Sequence, residues 1–172
     1  MSKELILGGA RSGKSALAER LAAESGLDVV YIATATAGDG EMAERIAHHR
    51  SRRPAHWELV EEPLRLAAAL RGAAAPHRCL LVDCLTLWLN NLIVDEARFR
   101  QERSALLEAL PALPGRIILV SNEVGMGIVP LGELTRRYCD EAGRLHQALA
   151  QLCDRVAFVA AGLPLILKGN PL

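Results

Sequence analysis

Gly8-Gly9-Ala10-Arg11-Ser12-Gly13-Lys14-Ser15 follows the apolar run Leu5-Ile6-Leu7 and spells G-x-x-x-x-G-K-S. In such a loop the glycines let backbone N–H groups turn inward around a phosphate, and the following helix adds the positive end of its dipole. Lys14 then belongs on the β- and γ-phosphates, and the Ser15 hydroxyl on Mg²⁺. The motif carries weight only between a strand and a helix. Both flanks comply, since Ala16, Leu17, Leu21 and Ala22 follow at helical spacing. The chemistry this announces is that of nucleotide phosphates.

Leu80-Leu81-Val82-Asp83 is an apolar run ending in a carboxylate. A lone acidic residue at a strand end is ordinarily a loop or cap residue, but downstream of a phosphate loop it is a candidate to hold Mg²⁺ directly or through water. Tyr31-Ile32-Ala33-Thr34-Ala35-Thr36 brings small and hydroxylated residues to a strand exit, where Thr34 is either a nucleotide contact or a plain strand end. Glu61 and Glu123 are further carboxylates near element ends. Ser121-Asn122-Glu123 opens into Val124-Gly125-Met126-Gly127-Ile128-Val129-Pro130, a wall suited to a large, partly apolar substrate.

A second nucleophile is offered by His48 and His49, followed by Arg50-Ser51-Arg52-Arg53. Met42, Ile46 and His49 share one helical face by their i, i+4, i+7 spacing, whereas His48 points about 100° away, so His49 is the better inward candidate. Neighbouring arginines favour a neutral imidazole and can grip phosphate oxygens, which suits attack on phosphorus. Paired histidines and arginine runs are also common as solvated faces. His56, His77 and His146 are read as structural.

Twenty basic and twenty acidic side chains cancel, which leaves no electrostatic footprint for nucleic acid or an anionic membrane. Aromatic residues are only 3%, against a base-stacking single-strand binder. Small molecules are the expected partners. Cys79, Cys84, Cys139 and Cys153 show neither C-x-x-C nor zinc spacing and read as reduced, cytoplasmic thiols. No charged leader and no apolar run of about eighteen residues occurs, so neither export nor a membrane span is expected.

These residues must be positioned by the elements around them. Strand-like runs at 4–7, 29–32, 79–82, 117–120 and 156–159 alternate with helix-like segments at 14–24, 41–50, 63–70, 97–110 and 134–152. The pattern predicts an α/β domain over residues 1–172, with a mostly parallel central sheet and helices on both faces. A hydrophobic content of 51% is ample for its core. Residues 57–60 are strand-like too, and 163–167 is a candidate last strand.

Taken together, these blocks resemble the bifunctional adenosylcobinamide kinase/adenosylcobinamide-phosphate guanylyltransferase family of cobalamin biosynthesis. The resemblance runs through the phosphate loop, Tyr31-Ile32-Ala33-Thr34, Glu41-Met42 with Arg45-Ile46 and His48-His49, Arg53-Pro54 with Trp57, Asp83-Cys84-Leu85-Thr86-Leu87-Trp88, and 121–130. It implies a RecA-like P-loop fold and two reactions. ATP or GTP phosphorylates the aminopropanol hydroxyl of adenosylcobinamide. GTP then gives GMP to an enzyme histidine, and the GMP passes to the phosphorylated corrinoid, yielding adenosyl-GDP-cobinamide.

Residue by residue, the resemblance puts phosphates on Gly8 to Ser15 and GTP against Ala33, Thr34, Ala35, Arg50, Ser51, Arg52 and Arg53. Glu61 and Asp83 line the nucleotide site, and one of His48 and His49 is guanylylated. It implies a homotrimer. His146 and Tyr138 depart from it, standing where Asn and Phe are commoner. Two other readings fit the motifs: a single-activity kinase for another small metabolite, and a nucleotide-gated binding or regulatory module. Covalently retained GMP would separate the first, and a second nucleophile has no use in the other.

Overall fold

The computed structural model of the protein describes residues 2–36 and 54–172. The expected helix at 41–50, and His48, His49, Arg50, Ser51, Arg52 and Arg53, lie outside the described residues.

Among the described residues seven strands form one sheet: β1 (Ser2–Gly8), β2 (Asp28–Ala33), β3 (Glu58–Glu61), β4 (Arg78–Asp83), β5 (Arg116–Asn122), β6 (Arg155–Ala160) and β7 (Leu163–Lys168). Their order is β3-β2-β4-β5-β1-β6-β7. Neighbours run parallel except β6 and β7, which are antiparallel. The helices are α1 (Lys14–Ala23), α2 (Leu66–Ala73), α3 (Leu85–Leu92), α4 (Glu96–Ala109) and α5 (Glu133–Leu152), with a 3₁₀ turn at Leu110–Ala112.

The near-continuous apolar strands are explained by two buried faces, because successive side chains point to opposite sides. Leu5, Leu7, Val30, Ile32, Leu80, Val82, Ile117 and Leu119 meet the core formed by α2 to α5. Ile6, Tyr31, Leu81, Ile118 and Val120 meet Leu17, Ala18, Leu21 and Ala22 of α1. Thus α1 leaves β1 on one face, while α5 connects β5 to β6 on the other. In an open α/β sheet, the carboxyl edge where connections diverge in this way is where ligands bind.

Three details differ from expectation. The helix expected at 63–70 runs Leu66–Ala73 instead, because the Glu62 carboxylate accepts from the N–H groups of Leu64 and Arg65 and holds a turn ahead of it. The strand read at 57–60 is Glu58–Glu61, so Glu61 is its last residue rather than the one after it. Helix α3 was not anticipated. Its buried residues Leu85, Trp88, Leu89 and Leu92 keep i, i+3, i+4, i+7 spacing, but the run around them is too evenly apolar to show it.

Candidate active site

The phosphate loop joins β1 to α1 with Arg11 at φ 53° and Gly13 at φ 94°. A Cβ on Gly13 would also lie 3.1 Å from the Gly162 Cα. Gly8 has no room either: its Cβ would lie 2.5 Å from Ser12 Oγ and 2.6 Å from the Val159 carbonyl oxygen. The Gly162 N–H donates to the Ser12 carbonyl at 2.8 Å, so the turn between β6 and β7 braces the loop from outside. Among the described residues no side chain caps α1, and no carboxylate stands in its first turn, which leaves its first N–H groups and dipole suited to an anion. Ser12 Oγ is buried without a hydrogen-bond partner among the described residues.

Lys14 is buried, with Nζ donating to the Gly9 carbonyl at 3.1 Å. Burial pulls its pKa down, opposed by Cys84 and by the carboxylate of Asp83. Asp83 ends β4, and the Tyr31 hydroxyl donates to its Oδ2 at 2.9 Å. Tyr31 is itself buried, so one rotamer of the carboxylate is favoured. A tyrosine inside an otherwise aliphatic strand was the available signal, since a buried phenol needs a partner.

Thr34 is fully buried. Its Oγ1 donates to the Cys84 carbonyl at 2.6 Å and accepts from the Cys84 N–H at 3.0 Å. Its carbonyl takes the Asn91 side-chain amide at 2.9 Å. The hydroxyl therefore fastens the end of β2 to the turn carrying Asp83. Ala33 and Ala35 flank it, half-buried.

The register aligns the remaining candidates. Ala33 pairs with both Glu61 and Asp83, Asp83 with Val120, and Asn122 with Gly8. Glu61, Asp83, the 121–123 segment and the phosphate loop thus share one carboxyl edge. The Glu123 N–H donates to the Gly8 carbonyl at 3.0 Å. The Asn122 N–H donates to Thr86 Oγ1 at 2.8 Å, and the Tyr138 hydroxyl to the Thr86 carbonyl at 2.8 Å. His146, read as structural from the sequence, is buried on α5 with Nε2 2.8 Å from Ser121 Oγ. Among the described residues, the Ser15 hydroxyl and the Asp83 carboxylate are oxygen donors chemically suited to hard Mg²⁺. An uncapped helix start at the phosphate loop and the Asp83 carboxylate on the same edge form an arrangement chemically suited to phosphoryl transfer.

Residues 4–167 match the family described as cobinamide kinase / cobinamide phosphate guanyltransferase. The chain belongs to that family. It is 71% identical over 172 residues to the bifunctional adenosylcobalamin biosynthesis protein CobP of Pseudomonas aeruginosa, covering 99% of each chain. It is 39% identical over 179 residues to the bifunctional adenosylcobalamin biosynthesis protein CobU of Escherichia coli, covering 95% of this chain and 98% of that one. Among solved structures the fold is similar to the RadB recombinase, with a TM-score of 0.50 and 18% identity over 91% of this chain and 73% of that one. The P-loop, RecA-like architecture is thus shared beyond the cobinamide kinase family, and fold alone does not set the chemistry.

Proposed function

We propose that this protein phosphorylates the aminopropanol hydroxyl of adenosylcobinamide with ATP or GTP, then transfers GMP from GTP through a guanylyl-histidine to give adenosyl-GDP-cobinamide. The observation that carries the reading is the joining of a formed phosphate loop to the Ser121-Asn122-Glu123 edge in a chain matched to the family from residue 4 to residue 167. In the kinase step the loop N–H groups and Lys14 hold the β- and γ-phosphates, and Ser15 and Asp83 would hold Mg²⁺, which neutralises phosphate charge when bound. Tyr31 and Thr34 keep Asp83 in place. Ala33, Ala35, Glu61, Arg50, Ser51, Arg52 and Arg53 complete the nucleotide contacts.

In the second step one of His48 and His49 attacks the α-phosphorus of GTP. The N–P bond forms as pyrophosphate leaves, and the phosphate of the corrinoid later displaces the imidazole. A neutral imidazole is a good nucleophile for phosphorus, and its protonated form a good leaving group.

We further propose that the enzyme works as one catalytic domain in a homotrimer, in the cytoplasm and without a nucleic-acid partner. Leu163, Leu165 and Leu167 are 73%, 62% and 57% exposed along the edge strand β7, an apolar stripe suited to subunit contact. Cys79, Cys84, Cys139 and Cys153 are free thiols, as in a reducing compartment. No helix among the described residues is long and apolar enough to cross a membrane.

The test is product analysis. Incubation with adenosylcobinamide, Mg²⁺ and ATP or GTP should give the corrinoid phosphate, and GTP should carry it on to the GDP derivative. A corrinoid left unmodified by both nucleotides would refute the reading.

A further inference from the structure

At the exit of β5 three polar side chains meet in a way the nucleotide site does not use. Ser121 and His146 are both buried, with His146 Nε2 2.8 Å from Ser121 Oγ. The other ring nitrogen, Nδ1, is buried without a hydrogen-bond partner among the described residues and faces Glu123 Oε2 at 4.0 Å. Glu123 is partly open, its side chain 23% exposed. Its Oε1 accepts from the Gly125 N–H, and its own N–H is bonded to the carbonyl of Gly8, the first residue of the phosphate loop. Its strand lies between the strand of that loop and the strand of Asp83.

The hydrogen placement follows from the partners. A carboxylate only accepts, so a proton on the facing nitrogen sits on Nδ1. The neutral ring then accepts at Nε2 from the Ser121 hydroxyl. Burial favours this neutral form by pulling the His146 pKa down, with Glu123 opposing. A distance of 4.0 Å is not a hydrogen bond, but contacts of this kind tighten when substrate closes a site.

We propose that Glu123 is the base of the kinase step and that His146, fixed by Ser121, is the positioning residue that aims its carboxylate. The inference rests on the kinase reading above. As the acceptor oxygen attacks the γ-phosphorus, its proton passes to a Glu123 carboxylate oxygen. The new O–P bond forms while the bond to the β,γ-bridging oxygen breaks, and the nucleoside diphosphate leaves. GMP transfer to histidine needs no such base, because the attacking nitrogen is already a free lone pair.

The test compares wild type, Glu123→Gln, Glu123→Asp, His146→Phe and His146→Asn, with circular dichroism as the folding check. Glu123→Gln keeps an oxygen for the Gly125 N–H and should lower kinase kcat by ~10²–10⁴-fold, the usual range for general-base removal. Its nucleotide KM and its GMP labelling from GTP should stay near wild type. Glu123→Asp should be intermediate and keep the acidic limb of the kinase pH profile, which Glu123→Gln should lose. His146→Phe should lower kinase kcat by about tenfold, and His146→Asn, which restores a donor, should recover most of it.

Unchanged kinase turnover in Glu123→Gln would overturn the proposal, and so would equal loss of labelling and kinase activity, since that marks a structural role. If Glu123→Gln does not fold, Glu123→Asp decides alone: wild-type kcat or a vanished acidic limb would overturn the base. A wild-type enzyme that does not phosphorylate adenosylcobinamide would instead overturn the kinase reading itself.

Discussion

Lys14 and Asp83 sit on the carboxyl edge with opposite charges, close enough for Asp83 to oppose the lowering of the Lys14 pKa, and each should fail in its own way. Lys14→Ala removes the cation proposed to bind phosphate while leaving both core clusters untouched. Kinase turnover should fall by about 10²–10³-fold with an unchanged melting temperature; near-wild-type turnover would remove the loop from the mechanism. Asp83→Asn keeps the shape and the bond from Tyr31 but removes charge. Its activity loss should shrink as Mg²⁺ is raised, and activity unchanged at low Mg²⁺ would make the carboxylate a bystander.

Buried His146 gives stability a pH signature. Its folded pKa lies below the ordinary 6.5, mainly through burial, so the unfolded state binds the proton more readily. Stability should therefore decline as pH falls below about 6.5 and be flat in this respect above it. Urea unfolding from pH 7.5 to 5.5 should show that decline in wild type and a weaker one in His146→Asn.

At the scale of elements, the β2 exit and the β4–α3 turn are held together by Thr34. Thr34→Val is nearly isosteric but leaves the Cys84 N–H and carbonyl without their partner. It should cost about 1–3 kcal/mol in denaturant unfolding and weaken Mg²⁺-dependent turnover through Asp83. No change in either quantity would contradict the fastening role.

This also marks what a sequence can and cannot display. The phosphate loop was legible because its function is a local backbone shape, set by glycines and their flanks. Asp83 was legible because a strand end is a local event. The work of Thr34, the hydroxyl of Tyr31 and the His146–Ser121 contact were not, because each joins residues 25 to 52 positions apart. Helix α3 was hidden because Leu87 and Ile93 add apolar residues beside its buried face and blur the periodicity, and α2 starts late because a side chain outcompeted the backbone for two N–H groups.

Across the whole molecule, chemistry and stability occupy opposite edges of the sheet. At the amino edge Glu4 is buried between Arg116 and Arg155, with contacts of 2.7 Å and 2.6 Å that tie β1 to β5 and β6. Burial alone would raise the Glu4 pKa, but the hydrogen bonds and charges of the two arginines outweigh it and hold the carboxyl below its ordinary range. A depressed pKa contributes stability above about 4.5 that is lost as pH falls through the folded value. Glu4→Gln leaves the arginines uncompensated, and because both are partly exposed the expected cost is about 2–3 kcal/mol. Thermal unfolding should show that loss at pH 7 and progressively less of it as pH falls below about 4.5, with kinase turnover at 25 °C unchanged.

Whether one chain joins a phosphate-loop kinase to a histidine guanylyltransferase is read out by intact mass spectrometry after incubation with GTP and Mg²⁺, followed by peptide mapping. The predicted result is one GMP per chain, acid-labile and alkali-stable, on the peptide holding His48 and His49. It should be abolished by alanine at one of them, His49 by the face argument, while adenosylcobinamide phosphorylation persists. No retained GMP, or labelling that survives at both single alanine variants, would contradict the claim and leave a plain kinase.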